Sequence, residues 1–212
     1  MDGELVVVDH GEYRIQMAEC GIDIFLAANN HIYDKGKAGA ERTLEIYRRL
    51  RQEHGIAYTG LSGDEQEERM THPLIRPVKG IRVAFVNFTY ATNGGRRNSW
   101  PKVNYMDSRD DISLALETAR RKHADITITL PHWGNEYELT HSRSQEETAR
   151  WLVSEGADII IGTHPHVIQD TTMMTGNDGK GLTDTNRKGL PIGNAVTAVI
   201  CREYGFPFDL PL

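Results

Sequence analysis

Short apolar runs alternate with longer amphipathic stretches along this chain. Residues 5–8 read as a strand, 11–19 as a helix, 22–27 as a strand, 39–53 as a helix and 56–58 as a strand. Alternation of this kind predicts an α/β domain. Farther on, 73–78 and 81–90 flank Lys79-Gly80, a two-residue connection that predicts a hairpin and hence an antiparallel element in a mixed sheet. After a polar loop over 91–104, the pattern predicts a helix over 107–123, a strand over 125–130, a helix over 142–155 and a strand over 158–161. Asp107, with Ser108 and Asp110, is a candidate N-cap cluster, and Gly156 a candidate helix stop.

Three of these strands, 22–27, 125–130 and 158–161, run directly into histidine. They deliver Asn29-Asn30-His31, His132-Trp133-Gly134-Asn135-Glu136 and His164-Pro165-His166. Ligands in α/β sheets gather at the carboxyl ends of strands, so these segments are expected to converge at one sheet edge. Pro165 fixes the backbone between His164 and His166, which lets both rings face one cavity. Neutral imidazoles suit zinc, manganese or iron. Taken alone, a His-x-His pair is more often two loop histidines capping a strand. Four histidines, an asparagine and a glutamate at equivalent edges favour a single divalent metal site.

Composition narrows the partners. The chain has 212 residues, enough for one sizeable core, and no Ser/Pro-rich linker divides it. A net charge of -6 and a pI near 5.8, with scattered basic residues, argue against nucleic acid. Cys20 and Cys201 lie far apart and fit packed thiols better than a disulfide scaffold or a cysteine zinc site. No apolar run reaches membrane-spanning length, and the opening residues lack the basic start and apolar centre of a signal peptide. Arg96-Arg97 suits either an anion contact or a solvated pair, and Trp133 and Tyr137 either a cleft lining or packing.

The motifs Ala28-Asn29-Asn30-His31 with Asp34 and Gly36, His132-Trp133-Gly134 with Glu136-Tyr137, and Gly162 with His164-Pro165-His166-Val167-Ile168-Gln169 resemble the CapA family of poly-γ-glutamate capsule biosynthesis proteins. The resemblance runs from about Gly11 to Gln169. It implies a mixed-sheet, metallophosphoesterase-like αββα sandwich of the calcineurin-like type, with a divalent metal ion (manganese, zinc or iron). It also implies that Asn30, His132, His164 and His166 bind metal, that His31 faces the scissile bond, and that Glu136 has an acid-base or supporting role. Asp34 either orients His31 or caps the loop. Poly-γ-glutamate or a phosphoester is the implied substrate, capsule-assembly proteins are implied partners, and the cell envelope or extracellular face is the implied location.

Two departures accompany the resemblance. The family's opening Gly-Asp and Asn-Leu-Glu segments, whose carboxylates bind metal, are not found, so the fold is expected to be incomplete at its N-terminus. Asp9-His10 does not replace them, because neighbours on a strand point to opposite faces. After Gln169 the chain lacks the family's usual strand and Ser-Leu-Gly-Asn-Phe segment, and Gly193-Asn194 is only a faint echo of it. Residues 1–169 are thus expected to form a partial CapA-like domain and 170–212 a divergent tail, with a mobile loop over 170–189. A metal-dependent hydrolase and a non-catalytic polymer-binding or assembly component both remain open.

Overall fold

The computed structural model describes residues 20–170, 172–173 and 191–194. The strand and helix expected over 5–8 and 11–19, and Asp9, His10 and Cys201, lie outside the described residues. In chain order the elements are β1 (Ile24–Leu26), α1 (Gly36–His54), β2 (Ala57–Thr59), β3 (Leu61–Ser62), α2 (Glu65–Thr71), β4 (Leu74–Val78) and β5 (Ile81–Thr89). They continue with β6 (Lys102–Val103), α3 (Arg109–Arg121), β7 (Ile126–His132), α4 (Arg143–Glu155), β8 (Ile159–Gly162), β9 (Thr172–Met173) and β10 (Pro191–Asn194).

Six strands form the main sheet in the order β4-β5-β7-β8-β10-β9. The four inner strands are parallel and both edge strands antiparallel. The expected hairpin is present: Val78 pairs with Ile81, and Lys79 and Gly80 take φ of 49° and 85°, the left-handed pair that a two-residue turn requires. Among the described residues a second sheet holds β1 and β2, paired in parallel, and β3 pairs antiparallel with β6.

Side-chain alternation stacks these pieces into four layers. Val83 and Phe85 of β5 join Leu130 of β7 and Ile24 and Leu26 of β1 in a core between the two sheets. Val86 and Phe88, on the opposite face of β5, pack with Ile112 and Leu116 of α3 and Leu152 of α4. Phe25 of β1 and Tyr58 of β2 turn outward onto Leu44, Tyr47 and Leu50 of α1. The result is an αββα sandwich: α1, the small sheet, the six-stranded sheet, then α3 and α4.

Local signals explain where the helices begin and end. Ser142 caps α4 in a reciprocal capping box with Gln145, and Gly156, at φ 106°, stops it in the left-handed conformation. Asp107 is not the cap of α3. That helix starts at Arg109 after Ser108, and the Asp107 carboxylate is engaged by the Arg96 guanidinium instead.

Two expectations change. β1 does not share a sheet with the other two histidine-bearing strands; it lies in the facing small sheet, and the end of that sheet reaches the same place. The segment 91–104 is not wholly loop, since Lys102–Val103 adds β6. Beyond residue 169, β10 pairs in parallel with β8 through Gly193 and Asn194, so this part of the tail belongs to the main sheet. The remainder of 174–190 and 195–212 lies outside the described residues.

Candidate metal centre

The ends of β1, β7 and β8 meet at one edge of the sandwich. On β7, Ile128 and Leu130 face the inter-sheet core, and period-two alternation turns His132 the same way. The loop after β1 comes down on that edge because Asn87 of β5, itself buried, accepts the Ala28 N–H at 2.8 Å and donates to the Leu130 carbonyl at 2.7 Å. Asn29 then closes a local turn by accepting the His31 N–H at 2.9 Å. Gly60 permits this approach: its φ is +97°, and a Cβ there would collide with Asn87 Oδ1 and lie 2.6 Å from Ala28 N.

Two donor groups result, side by side. In the first, Asn30 Oδ1 stands 2.9 Å from His132 Nε2, while His132 Nδ1 is 2.9 Å from Thr163 Oγ1. In the second, Glu136, His164 and His166 each offer a ligand atom, all within 4.8 Å of one another. His164 Nδ1 is 4.0 Å and His166 Nε2 3.8 Å from Glu136 Oε1. The groups adjoin, with the His132 and His164 ring centroids 4.8 Å apart. Tyr90 lies against both rings, and the exposed Tyr137 stacks on His166. Trp133 packs in the helix-side core.

Glu136 arrives by a backbone tie, the Tyr137 N–H donating to the Pro165 carbonyl at 2.7 Å. Tyr137, His164 and His166 all carry positive φ, of 63°, 100° and 58°. Non-glycine residues pay for this conformation in steric energy, and such positions cluster where a fold must aim side chains.

Electrostatics keep the inner rings neutral. Burial, then the neighbouring His164, His31 and His166, depresses His132 to about 3. Burial also lowers His164; Glu136 opposes this and His166 and His31 add to it. Unprotonated imidazole is the form that binds metal.

His31 is separate. Its side chain is 63% exposed, and its Nδ1 is 2.6 Å from Asp34 Oδ2. An ionised carboxylate only accepts, so Nδ1 carries the proton and Nε2 is left for other contacts. Of the two roles open to Asp34, the geometry has it holding the His31 ring. Asn93, Thr163 and Tyr90 were not singled out in the sequence. Thr163 stood inside the Gly162–His166 motif and could have been read as a partner for a strand-end histidine, whereas nothing local marked Asn93.

The fold and this edge describe an α/β sandwich that gathers imidazoles, an amide and a carboxylate at the ends of its strands. The chain matches the family described as "Bacterial capsule synthesis protein PGA_cap" over residues 3–184 and belongs to that family. It is similar to the capsule biosynthesis protein CapA of Bacillus anthracis, 31% identical over 155 residues that cover 71% of this chain and 36% of that protein. It is also similar to the PGA biosynthesis protein CapA of Bacillus subtilis (strain 168), 28% identical over 175 residues, 82% of this chain and 45% of the relative. The chain thus spans less than half the length of these curated relatives. Among solved structures, a 5'-nucleotidase precursor from Thermus thermophilus is similar with a TM-score of 0.48 and 17% identity, over 82% of this chain and 32% of that one.

Proposed function

We propose that this chain acts in the biosynthesis or export of a capsule polymer through a divalent-metal-dependent hydrolytic centre at the strand ends, with poly-γ-glutamate or a phosphoester as substrate. The observation that carries the reading is His164 Nδ1: a buried ring nitrogen without a hydrogen-bond partner, 4.0 Å from the Glu136 carboxylate and beside three further donor side chains, Asn30, His132 and His166. Leaving such an atom unsatisfied costs about 1–3 kcal/mol. A cation held together with Glu136 and His166 would offset that cost. Asn30 Oδ1 and His132 Nε2, hydrogen-bonded at 2.9 Å, also stand close enough to be held by one ion. The names of the two CapA relatives support the capsule role.

The donors fit the group. Asn30, His132, Glu136, His164 and His166 would hold it, and manganese, zinc or iron suits such a mixed nitrogen and oxygen set. Bound there, a divalent ion would polarise the electrophilic centre and bring water into its nucleophilic form near neutral pH. The protein residues supply the rest. Were His132 to bind through Nε2, its Nδ1–H would donate to Thr163 Oγ1, 2.9 Å away, which would fix the tautomer and the ring plane. In its doubly protonated form His31, held by Asp34 at Nδ1, would pass the proton on Nε2 to the leaving group. Tyr90 covers the inner rings from one side, and among the described residues His166 and Tyr137 are exposed on the other, where a long substrate could approach.

The test combines elemental analysis of the purified protein with turnover assays on a chromogenic phosphodiester and on γ-glutamyl oligomers. Bound manganese, zinc or iron with turnover of either substrate supports the hydrolase reading. Polymer binding without turnover of either would favour a non-catalytic assembly role with capsule-assembly proteins at the envelope.

A further inference from the structure

We infer that Asn93 is a positioning residue that sets the face which the Asn30 amide presents to the centre and ties it to the Asp34 carboxylate holding His31. This deepens the metal-dependent reading and rests on it, adding a residue from the loop after β5.

An asparagine amide has two chemically different ends, and only the oxygen can bind a cation. Something must choose between them. Asn93 does so with its own oxygen: Asn30 Nδ2 donates to Asn93 Oδ1 at 3.4 Å, which leaves Asn30 Oδ1 facing His132 Nε2. The other end of the Asn93 amide points at the proton-transfer pair, with Nδ2 3.3 Å from Asp34 Oδ1 and 3.2 Å from His31 Nδ1. Because Nδ1 already donates its proton to Asp34, it is not free to accept. Asp34 Oδ1 is therefore the true acceptor of the Asn93 N–H. One planar amide thus connects a candidate metal ligand to the support of a candidate proton donor.

The seat of Asn93 is built for this. Its own N–H donates to the Asn30 carbonyl at 2.8 Å, fixing the two loops in register. Next to it, Gly94 presses on Tyr33, where a Cβ would stand 3.0 Å from the Tyr33 carbonyl oxygen. Buried Thr92 closes the turn by donating from Oγ1 to the Gly95 carbonyl at 2.7 Å. Aspartate at 93 would keep the acceptor for Asn30 but lose the donor for Asp34. Alanine would lose both.

The experiment is a double-mutant cycle read by manganese and zinc affinity, together with NMR of the Asn30 side-chain amide in metal-free protein. Asn93→Ala is expected to weaken metal binding about tenfold, the low end for residues that orient ligands. Asn93→Asp should bind no more than about threefold more weakly than the parent, since the acceptor remains. In an Asn30→Ala background, Asn93→Ala should change affinity less than about twofold, because the side chain it orients is gone. The Asn30 amide protons should exchange slowly in the parent and quickly in Asn93→Ala, at unchanged melting temperature. Unaltered exchange in Asn93→Ala, or full additivity in the cycle, would overturn the inference. A parent that protects the Asn30 amide yet binds neither metal would overturn the metal reading alone and leave Asn93 as the residue that orients Asn30.

Discussion

Asn87 Oδ1 accepts the Ala28 N–H across the gap between the two sheets at 2.8 Å, and this contact fixes where the Asn30-His31 loop lands. The first donor group, Asn30 with His132, depends on it. Asn87→Ala would strand the buried Ala28 N–H and remove a second donor from the Leu130 carbonyl, so a stability loss of about 1–3 kcal/mol is expected. Urea unfolding followed by circular dichroism measures it. A loss below about 1 kcal/mol would mean the loop is held by other contacts.

Gly60→Ala should fail at the same junction for a steric reason. The position needs a left-handed backbone and has no room beside Asn87 and Ala28. A melting temperature at least several degrees below the parent is expected, whereas Gly80→Ala, with nothing within 4 Å of its Cβ position, should lose only the cost of a positive φ. Equal effects of the two substitutions would contradict the close approach of the sheets.

The pH dependence of stability should carry the mark of His72. Its Nδ1 lies 3.0 Å from Asn104 Nδ2, and burial pushes it from 6.5 down to about 4 against a smaller upward pull from the Asp111 backbone. The folded protein therefore binds fewer protons than the unfolded chain between those values. Stability is full above pH 6.5 and falls as the pH drops toward 4, by about 3 kcal/mol for this residue. His72→Gln should flatten that part of the profile, measured by denaturant unfolding from about pH 4 to 7.5. An unchanged slope would assign the acid sensitivity to other groups.

Much of this architecture was legible because its signals are local. Lys79-Gly80 demanded a hairpin, Gly156 a helix stop, and the apolar runs before His132 and His164 marked both strands to within two residues of their ends. Helix α2 was missed because its buried residues are Glu67 and Thr71, which leave no apolar period to read. Glu67 is accommodated instead by Arg48, Tyr58 and the Gly63 N–H, partners that form no pattern along the chain. The placement of β1 in a separate sheet follows from long-range pairing with β2 that three residues cannot announce. In the candidate centre, the histidines were visible as strand-end motifs. Asn93 was not, because an asparagine in a Gly-rich loop looks like any turn residue until Asn30 is seen beside it.

The roles proposed at the strand ends come down to one distinction: the donors grouped around His164 would hold a divalent ion, and His31 would not. Calorimetric titration of manganese and zinc into the parent, His164→Ala and His31→Ala proteins decides it. Saturable binding is expected in the parent, affinity within about threefold of it in His31→Ala, and a loss of at least about a hundredfold in His164→Ala. Binding in His164→Ala as tight as in the parent would contradict the assignment.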